Sequence, residues 1–264
     1  MKKIIVITSG KGGVGKTTTA INLGAAINHF GGDVVVIDAN LSTPNIGIHL
    51  NSPNVPVNLN HVLSKKAKVF EAVYEHESGL KIIPSSISIR ELKKINPESI
   101  KSYRKDFKKI ADYIIMDSAA GLGDEALSVI DIADEIIIVS NPEMPAIADA
   151  LKTIKLAQEM KKIVLGVIMT RVRKNYTELQ PETVREMLEI PILGMVPEDL
   201  MVQEALALKD AIVHTHPRSK PARAYKEIAA RLMGIQYDSE EDKEKLMDKI
   251  DKLLKKFKII NKIK

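Results

Sequence analysis

The feature that most constrains this chain is a glycine-rich run between an apolar segment and a helical pattern. The run covers residues 9–18 and reads SGKGGVGKTT. The segment before it, KIIVIT at residues 3–8, has the length and the β-branched residues of a buried strand. Apolar residues follow at helical spacing over residues 20–27. A strand, a glycine-rich loop and a helix in this order predict a phosphate-binding α/β fold.

The chemistry of phosphate binding explains each residue type in the loop. Glycines at positions 10, 12, 13 and 15 let the backbone adopt conformations that are closed to other residues, so that successive N–H groups can wrap a phosphate chain. In the pattern G-x-x-x-x-G-K-[ST], Lys16 would reach the β- and γ-phosphates, and the Thr17 hydroxyl would bind Mg²⁺. The predicted nucleotide-binding residues of the loop are Gly10, Lys11, Gly12, Gly13, Val14, Gly15, Lys16, Thr17 and Thr18.

The same glycines also fit a dinucleotide-binding fingerprint. Gly10, Gly12 and Gly15 satisfy G-x-G-x-x-G. Asp38 follows roughly 20 residues later at the end of a second strand, as such a fingerprint requires. A dinucleotide pyrophosphate, however, needs neither a cation nor a metal-binding hydroxyl at positions 16 and 17. The Lys-Thr pair there favours a nucleoside triphosphate with Mg²⁺.

Further apolar segments recur along the chain, with helical patterns between most of them. They cover residues 33–38, 80–83, 113–117, 135–139, 163–169 and 192–195. Strands that alternate with helices form mostly parallel sheets covered on both faces. We therefore expect a three-layer P-loop NTPase fold with a mostly parallel sheet of about seven or eight strands.

Two carboxylates stand at strand ends, where ligands of such sheets bind. Asp38 ends one predicted strand, and Asp117 ends another and opens the small, flexible segment 117–123. Either carboxylate can bind Mg²⁺ directly or through water, and the alternative role for each is a helix N-cap. Because a phosphate loop is present, we favour the metal role, so that the predicted metal-binding residues are Thr17, Asp38 and Asp117.

Composition narrows the classes of function and the compartment. The chain contains no cysteine, which excludes disulfides, cysteine-ligated zinc and cysteine-held iron–sulfur clusters. A net charge of +5 is weak support for an anionic partner. No signal peptide pattern and no apolar run of about 18 residues is found. We expect a cytoplasmic protein, unless it attaches to a membrane from that side.

The motifs at residues 11–18, 38–40, 117–121, 141–143 and 196–199 resemble those of the MinD/ParA family of deviant-Walker ATPases, and most of all its MinD branch in the archaeal form. The resemblance covers roughly residues 1–233. It implies binding of ATP, ADP and Mg²⁺, and an ATP-gated homodimer in which two nucleotide-bound copies face each other until hydrolysis releases them. Lys11 would then reach the partner's phosphates across the interface, as an arginine finger supplied in trans does.

The resemblance also assigns roles outside the loop. Glu143 and Asp149 match positions at the dimer face and the partner-binding face. The segment from Pro197 to Asp199 matches one that contacts the adenine base through its backbone. The nucleotide-binding residues that the resemblance adds are Glu143, Thr170, Arg171, Pro197 and Asp199, and the catalytic residues that it implies are Lys11, Lys16, Asp38, Asn40 and Asp117.

This chain departs from the family pattern at three places. Asn40 stands where the family usually has a second aspartate, which is credited with positioning the attacking water. An amide cannot accept the proton but can orient water, so we expect ATP binding with slow or partner-dependent hydrolysis. Ala119 replaces a common proline. Thr170 and Arg171 stand where some relatives have Asn-Arg, which puts the base contact there in question.

The sequence changes character near its C-terminal end. We predict an ATPase domain over residues 1–235 and a basic amphipathic helix over 236–264, with an apolar stripe on one side and lysines on the other. This tail resembles the membrane-targeting sequence of MinD proteins, and residues 243–264 would bind an anionic membrane surface. The alternatives are a helix packed on the body or on its dimer mate, and nucleic acid binding. The latter is less favoured because the excess charge lies in the tail.

Two functions remain from these observations. The first is a MinD-like switch on the cytoplasmic face of the cell membrane that positions or recruits a protein partner, such as cell-division or polar machinery. The second is a ParA-like ATPase that binds nucleic acid non-specifically in DNA partitioning. We expect the first.

Overall fold

An eight-stranded sheet forms the centre of the molecule, in a computed structural model that describes residues 2–88, 91, 95–173 and 175–237. The strands are β1 (Lys3–Thr8), β2 (Val34–Ala39), β3 (Tyr74–Glu75), β4 (Lys81–Ile83), β5 (Tyr113–Ser118), β6 (Glu135–Ser140), β7 (Ile163–Val172) and β8 (Ile192–Pro197). Their order is β3-β4-β2-β5-β1-β6-β7-β8. Only the β3–β4 pair is antiparallel among these strands. The predicted mostly parallel α/β sheet is confirmed.

Helices cover both faces of the sheet. They are α1 (Lys16–His29), α2 (Ile46–His49), α3 (Leu59–Leu63), α4 (Arg104–Ile110), α5 (Asp124–Ile132), α6 (Met144–Glu159), α7 (Pro181–Leu188), α8 (Leu200–Ala207), α9 (Ile212–Thr215) and α10 (Lys220–Met233). Short 3-10 helices cover Val69–Ala72 and Pro97–Tyr103.

The central strands are buried on both faces, which explains why they are continuously apolar. Ile5 and Ile7 of β1 pack with α1 and α10 in one core cluster. Ile4 and Val6 point the other way and join a second cluster, which contains Phe107 of α4. Because successive side chains alternate between the faces of a strand, the run IIVI at positions 4–7 of β1 is apolar throughout.

The strand order creates a crevice at the carboxyl edge of the sheet. β1 lies between β5 and β6, and it leads directly into the glycine-rich loop and α1. β2 pairs with β5 in a register that sets Asp38 opposite Asp117. The loop and both predicted carboxylates therefore lie at one end of neighbouring strands, the usual ligand position in sheets of this type.

Helices α1 and α10 run side by side in the same direction. The hydroxyls of Thr19 and Tyr225 are 3.2 Å apart near the glycine-rich loop. At the other end, the rings of Phe30 and Tyr237 meet edge to face with centroids 5.2 Å apart. α10 ends at Gly234, whose φ is 68°. The chain thus reaches Tyr237 at the edge of the sheet opposite the loop.

Most of the predicted tail, residues 238–264 of the 236–264 segment, lies outside the described residues. No helix in the described part of the chain has the length and apolar character that a bilayer crossing requires. The seven predicted strands are present with bounds shifted by a few residues. β3 was not predicted, because a two-residue strand with both side chains exposed carries no hydrophobic pattern.

Candidate functional site: a phosphate loop at the carboxyl edge of the sheet

The four glycine positions of the loop differ in why a side chain would or would not be tolerated there. Gly13 and Gly15 have φ values of +78° and +92°, which favour glycine, and Gly15 is the N-cap of α1. Gly10 is instead required by packing, because a Cβ built on it would lie 2.3 Å from the Asp149 carbonyl oxygen of α6. A Cβ at Gly12 would meet no atom within 4 Å. The prediction that all four glycines supply special backbone conformations is therefore correct for Gly13 and Gly15 only.

The two lysines of the loop have opposite surroundings. Lys16 begins α1 and is 8% exposed. Its charge acts on the buried carboxylate of Asp117 and lowers the pKa of that group. Lys11 is exposed on the surface of the loop, and its carbonyl accepts a hydrogen bond from the Ser9 hydroxyl at 2.8 Å. One lysine therefore faces the site, and the other faces solvent.

Thr17 and Asp117 meet at the mouth of the loop. The Thr17 hydroxyl donates to Asp117 Oδ2 at 2.5 Å. Asp117 Oδ1 is buried and has no hydrogen-bond partner among the described residues. Burial raises the pKa of Asp117 to about 6, although the charge of Lys16 and the Thr17 hydrogen bond lower it. A hydroxyl beside a carboxylate with an unused buried oxygen is a donor set that fits Mg²⁺.

Asp38 lies beside Asp117 but is held by the backbone. Its Oδ2 accepts hydrogen bonds from the amides of Asn45 at 2.8 Å and Ile46 at 2.9 Å, where α2 begins. Burial, followed by the charge of Asp117, raises the pKa of Asp38 well above its usual value. Neither carboxylate is the N-cap residue of a helix, since those residues are Asn45 for α2 and Gly123 for α5, but backbone amides already occupy Asp38 Oδ2 at the start of α2.

Asn40 is folded into its own loop. Its amide nitrogen donates to the Thr43 carbonyl at 2.8 Å, and its amide oxygen accepts from the Thr43 hydroxyl at 3.1 Å. A cavity of about 350 Å³ separates this loop from the segment that follows Asp117. Ser42 closes the outer side, since its amide and hydroxyl both donate to the Glu125 carboxylate at the start of α5. The sequence did not single out Glu125, because an acidic residue in the first turn of a helix is common.

A second cavity, of about 240 Å³, continues from the loop toward β8. Gly15, Thr18, Arg171, Pro197, Asp199 and Tyr225 are among its lining residues. The Asp199 side chain accepts from the Met201 amide at 2.9 Å and caps α8. The cavity therefore lies where the resemblance placed a base, and it opens into a wider cleft of about 950 Å³.

The remaining candidate residues do not all lie at the phosphate loop. Thr170 is buried, and its hydroxyl points to the loop, 2.5 Å from the Val14 carbonyl oxygen. Glu143 is exposed at the N-cap of α6, and Asp149 of the same helix pairs with Lys152 at 3.2 Å. Arg173 forms a two-bond ion pair with Glu198 in the wider cleft, a contact that the sequence did not predict.

The comparisons with known proteins agree with this geometry. A ParA family profile, described as NUBPL iron-transfer P-loop NTPase, matches residues 1–233. An uncharacterized ATP-binding protein of Methanocaldococcus jannaschii is 38% identical over 241 residues, which cover 91% of each chain.

Solved structures give the same result. The septum site-determining protein MinD of Pyrococcus horikoshii, complexed with Mg-ADP, has a TM-score of 0.84 and 30% identity, over 88% of this chain and 96% of that one. MinD in the MinC:MinD cell division complex of Aquifex aeolicus has a TM-score of 0.80 and 30% identity, over 89% and 97%.

The iron-transfer part of the profile's description does not fit this chain, because the thiolate ligands of an iron–sulfur cluster require cysteine and the sequence has none. The P-loop NTPase part of the description fits the phosphate loop of this chain, and the Mg-ADP of the Pyrococcus horikoshii structure fits the donor set found here. The chain belongs to the MinD/ParA family of P-loop ATPases.

Proposed function

We propose that this protein is an ATP-dependent dimerising switch of the MinD type, which binds the cytoplasmic face of a membrane and recruits a protein partner there. The observation that carries the proposal is the contrast between the two loop lysines. Lys16 is buried beside Asp117, whereas Lys11 is exposed on the same loop. An exposed lysine at the mouth of a phosphate site is available to the phosphates of a second copy, as a finger supplied in trans is.

Within one copy, each residue of the site has a separate role in binding. The loop amides and Lys16 bind the phosphates, and Thr17 with Asp117 would hold Mg²⁺. When bound, the metal supplies positive charge that neutralises the phosphate oxygens. The backbone around Pro197 and Asp199 borders the cavity that would take the base.

Hydrolysis is proposed to be slow. Asn40 is the candidate for orienting the attacking water, yet both ends of its amide are bonded to Thr43. The Thr43 amide and hydroxyl both donate to the amide oxygen, so the second N–H of the Asn40 amide is what remains for a water, and the amide cannot accept a proton. A slow step of this kind favours a long-lived ATP state, which suits a switch.

The proposed output is the C-terminal segment. In a helix, residues 243–264 would carry lysines on one side and apolar residues on the other, and each lysine near an anionic surface contributes about 1 kcal/mol. A single tail of this length binds weakly and reversibly. Two tails in one dimer raise the effective concentration of the second, so that ATP-driven dimerisation strengthens attachment without new contacts.

A protein partner is proposed at α6, where Glu143 is exposed and Asp149 lies one turn and a half further along the helix. The DNA-partitioning alternative has less support from the body of the protein. Arg104 and Lys108 of α4 share the carboxylate of Asp134, and Lys109 pairs with Asp106, so these three cations leave an excess of one positive charge.

Sedimentation with lipid vesicles tests the proposal. The full chain and a chain ending at Gly234 are mixed with vesicles that contain phosphatidylglycerol, and in parallel with duplex DNA, in ATP and in ADP. We expect the full chain to sediment with vesicles in ATP more than in ADP, and the shortened chain to stay in solution. Raising the salt concentration should weaken the binding, because the lysines act through charge.

Two results would overturn the membrane proposal. Binding to DNA that depends on ATP, with no binding to vesicles, would support the partitioning alternative. Binding to neither in any nucleotide would indicate a tail that packs on the protein. Neither result affects the assignment of the phosphate loop, which nucleotide affinity measures separately.

A further inference from the structure

We infer that Thr170 is a positioning residue for the phosphate loop, and that Asn141 holds it in that role. The inference rests on nucleotide binding at the proposed site. It also changes the role expected for Thr170, from a contact with the base to a contact that sets the direction of a loop amide.

The position of the Thr170 hydroxyl is the first observation. Thr170 lies near the end of β7 and is 4% exposed. Its Oγ1 is 2.5 Å from the Val14 carbonyl oxygen, 2.9 Å from Asn141 Oδ1 and 3.3 Å from the Ser140 carbonyl oxygen. A hydroxyl has one proton, and the shortest contact takes it. Thr170 therefore donates to Val14.

The geometry of the peptide unit gives this bond its consequence. The Val14–Gly15 peptide is trans, as are all peptides in the described chain. In a trans peptide the C=O and the next N–H point in opposite directions. Thr170 holds the Val14 carbonyl from β7, so the Gly15 N–H points away from Thr170. We take this amide as one of the loop donors that bind phosphate.

Gly15 itself depends on the same contact. It has a φ of +92° and lies against Thr170, since a Cβ built on it would be 3.7 Å from Thr170 Oγ1. A glycine in this region of φ has many other conformations available to it. A bond to the preceding carbonyl restricts them and prepares the loop before the nucleotide arrives.

Asn141 completes the arrangement from the neighbouring strand. The oxygen and nitrogen of its amide exchange places by a half turn of the side chain, and with the nitrogen toward Thr170 the amide donates to the hydroxyl. The bonds then run from the Asn141 amide to the Thr170 hydroxyl and on to the Val14 carbonyl. Because Asn141 stands two residues before Glu143, this path joins the exposed start of α6 to the phosphate loop.

The test compares three variants by the affinity of MgADP, measured by calorimetry on the full chain. Thr170→Val keeps the shape of the side chain and removes the hydroxyl, and Thr170→Ser keeps the hydroxyl. Thr215→Val is the matched control, since the Thr215 hydroxyl of α9 also donates to a backbone carbonyl, that of Ala211, at 3.1 Å. We expect MgADP to bind about tenfold more weakly to Thr170→Val, and Thr170→Ser and Thr215→Val to bind as the wild type does.

A spectroscopic signal separates positioning from general loosening of the fold. With glycine labelled in ¹⁵N, we expect the Gly15 amide proton to shift downfield on addition of MgADP in the wild type and in Thr170→Ser. In Thr170→Val the shift should be reduced even at saturating nucleotide. Unchanged MgADP affinity in Thr170→Val, equal losses in Thr170→Ser, or an unchanged Gly15 shift would each overturn the inference.

The Asn141 step has its own measurement, and the single variant Asn141→Ala also serves if Thr170→Val does not fold. Asn141→Ala should weaken MgADP binding, and the Asn141→Ala, Thr170→Val double variant should lose less than the sum of the two single losses, because both act through one path. Additive losses, or no loss in Asn141→Ala, would contradict the role given to Asn141. If the wild type itself failed to bind MgADP, the proposed function would be at fault and not the role of Thr170.

Discussion

Two buried carboxylates lie side by side at the ends of β2 and β5. Asp38 and Asp117 are each fully buried, and burial is the main reason that both have a raised pKa. A carboxyl with a raised pKa in the folded protein favours folding at low pH, and loses that contribution as the pH rises through its folded value. For Asp117 the change falls between about pH 4, the value in the unfolded chain, and about pH 6.

We therefore predict that Asp117→Asn stabilises the protein in the absence of nucleotide and Mg²⁺. At pH 8 the free energy of unfolding should rise by about 2 kcal/mol, because a buried charge is removed while an acceptor for Thr17 remains. Below about pH 4 the variant and the wild type should unfold alike. Urea unfolding in EDTA at both pH values measures the difference. An equal effect at both would mean that charge is not the cause.

Asn40 gives a prediction about turnover. Asn40→Asp supplies a group that can accept a proton from water, so ATP hydrolysis should become about tenfold faster or more. Release of phosphate measures the rate, and MgADP affinity is the control, because the phosphate-binding loop is unchanged. If Asn40→Asp turned over ATP no faster than the wild type, the residue at position 40 would not explain slow hydrolysis.

The residues that sequence alone identified are those whose chemistry is local. Lys16 and Thr17 stand next to the glycines that define their role. Glu125 was missed, and the contact of Thr170 with the loop was not foreseen, because their partners are far away along the chain, at separations of 83 and 156 residues. No spacing rule connects such pairs, since only the strand order brings them together.

At the scale of helices and strands, the glycine-rich loop packs closely against α6. A Cβ at position 10 would overlap the Asp149 backbone, whereas one at position 12 would meet nothing. Gly10→Ala should therefore lower the free energy of unfolding by about 1–3 kcal/mol, and Gly12→Ala should change it little. Thermal unfolding without nucleotide compares the two. Equal effects would show that α6 moves freely to accept the methyl group.

The long elements could be predicted from the sequence, and the short ones could not. β1, β2 and β5 are continuous apolar runs because helices bury them from both sides. α2 and α3 have four and five residues, too few to show a helical period. They begin where a side chain caps them: Asp38 accepts from the first amides of α2, and Asn58 accepts from the His61 amide of α3. Sequence alone does not predict such caps, because they depend on where the fold places the strand or loop that carries the capping side chain.

For the whole molecule, the exposed position of Lys11 predicts a loss of assembly without a loss of binding. Lys11→Ala should bind a non-hydrolysable ATP analogue with Mg²⁺ but stay monomeric, whereas the wild type should dimerise. Light scattering after gel filtration reports the mass. Lys105→Ala, which removes an exposed lysine of α4 on the other side of the sheet, is the control. A dimer of Lys11→Ala, or a wild type that stays monomeric with the analogue, would contradict the role in trans.

The parallel pair of α1 and α10 has a further consequence for the cell. Thr19 contacts Tyr225 at the loop end of the pair, and Phe30 contacts Tyr237 at the far end. Since α1 has 14 residues, Tyr237, where the tail begins, lies about 21 Å from the nucleotide site. Under the proposed function, a nucleotide at that distance from Tyr237 would act on the tail by bringing two copies together. Because a dimer forms from two copies, the amount of protein on the membrane would then rise with the square of the monomer concentration. A gradual gradient of monomer along the cell would produce a steeper gradient of membrane-bound dimer.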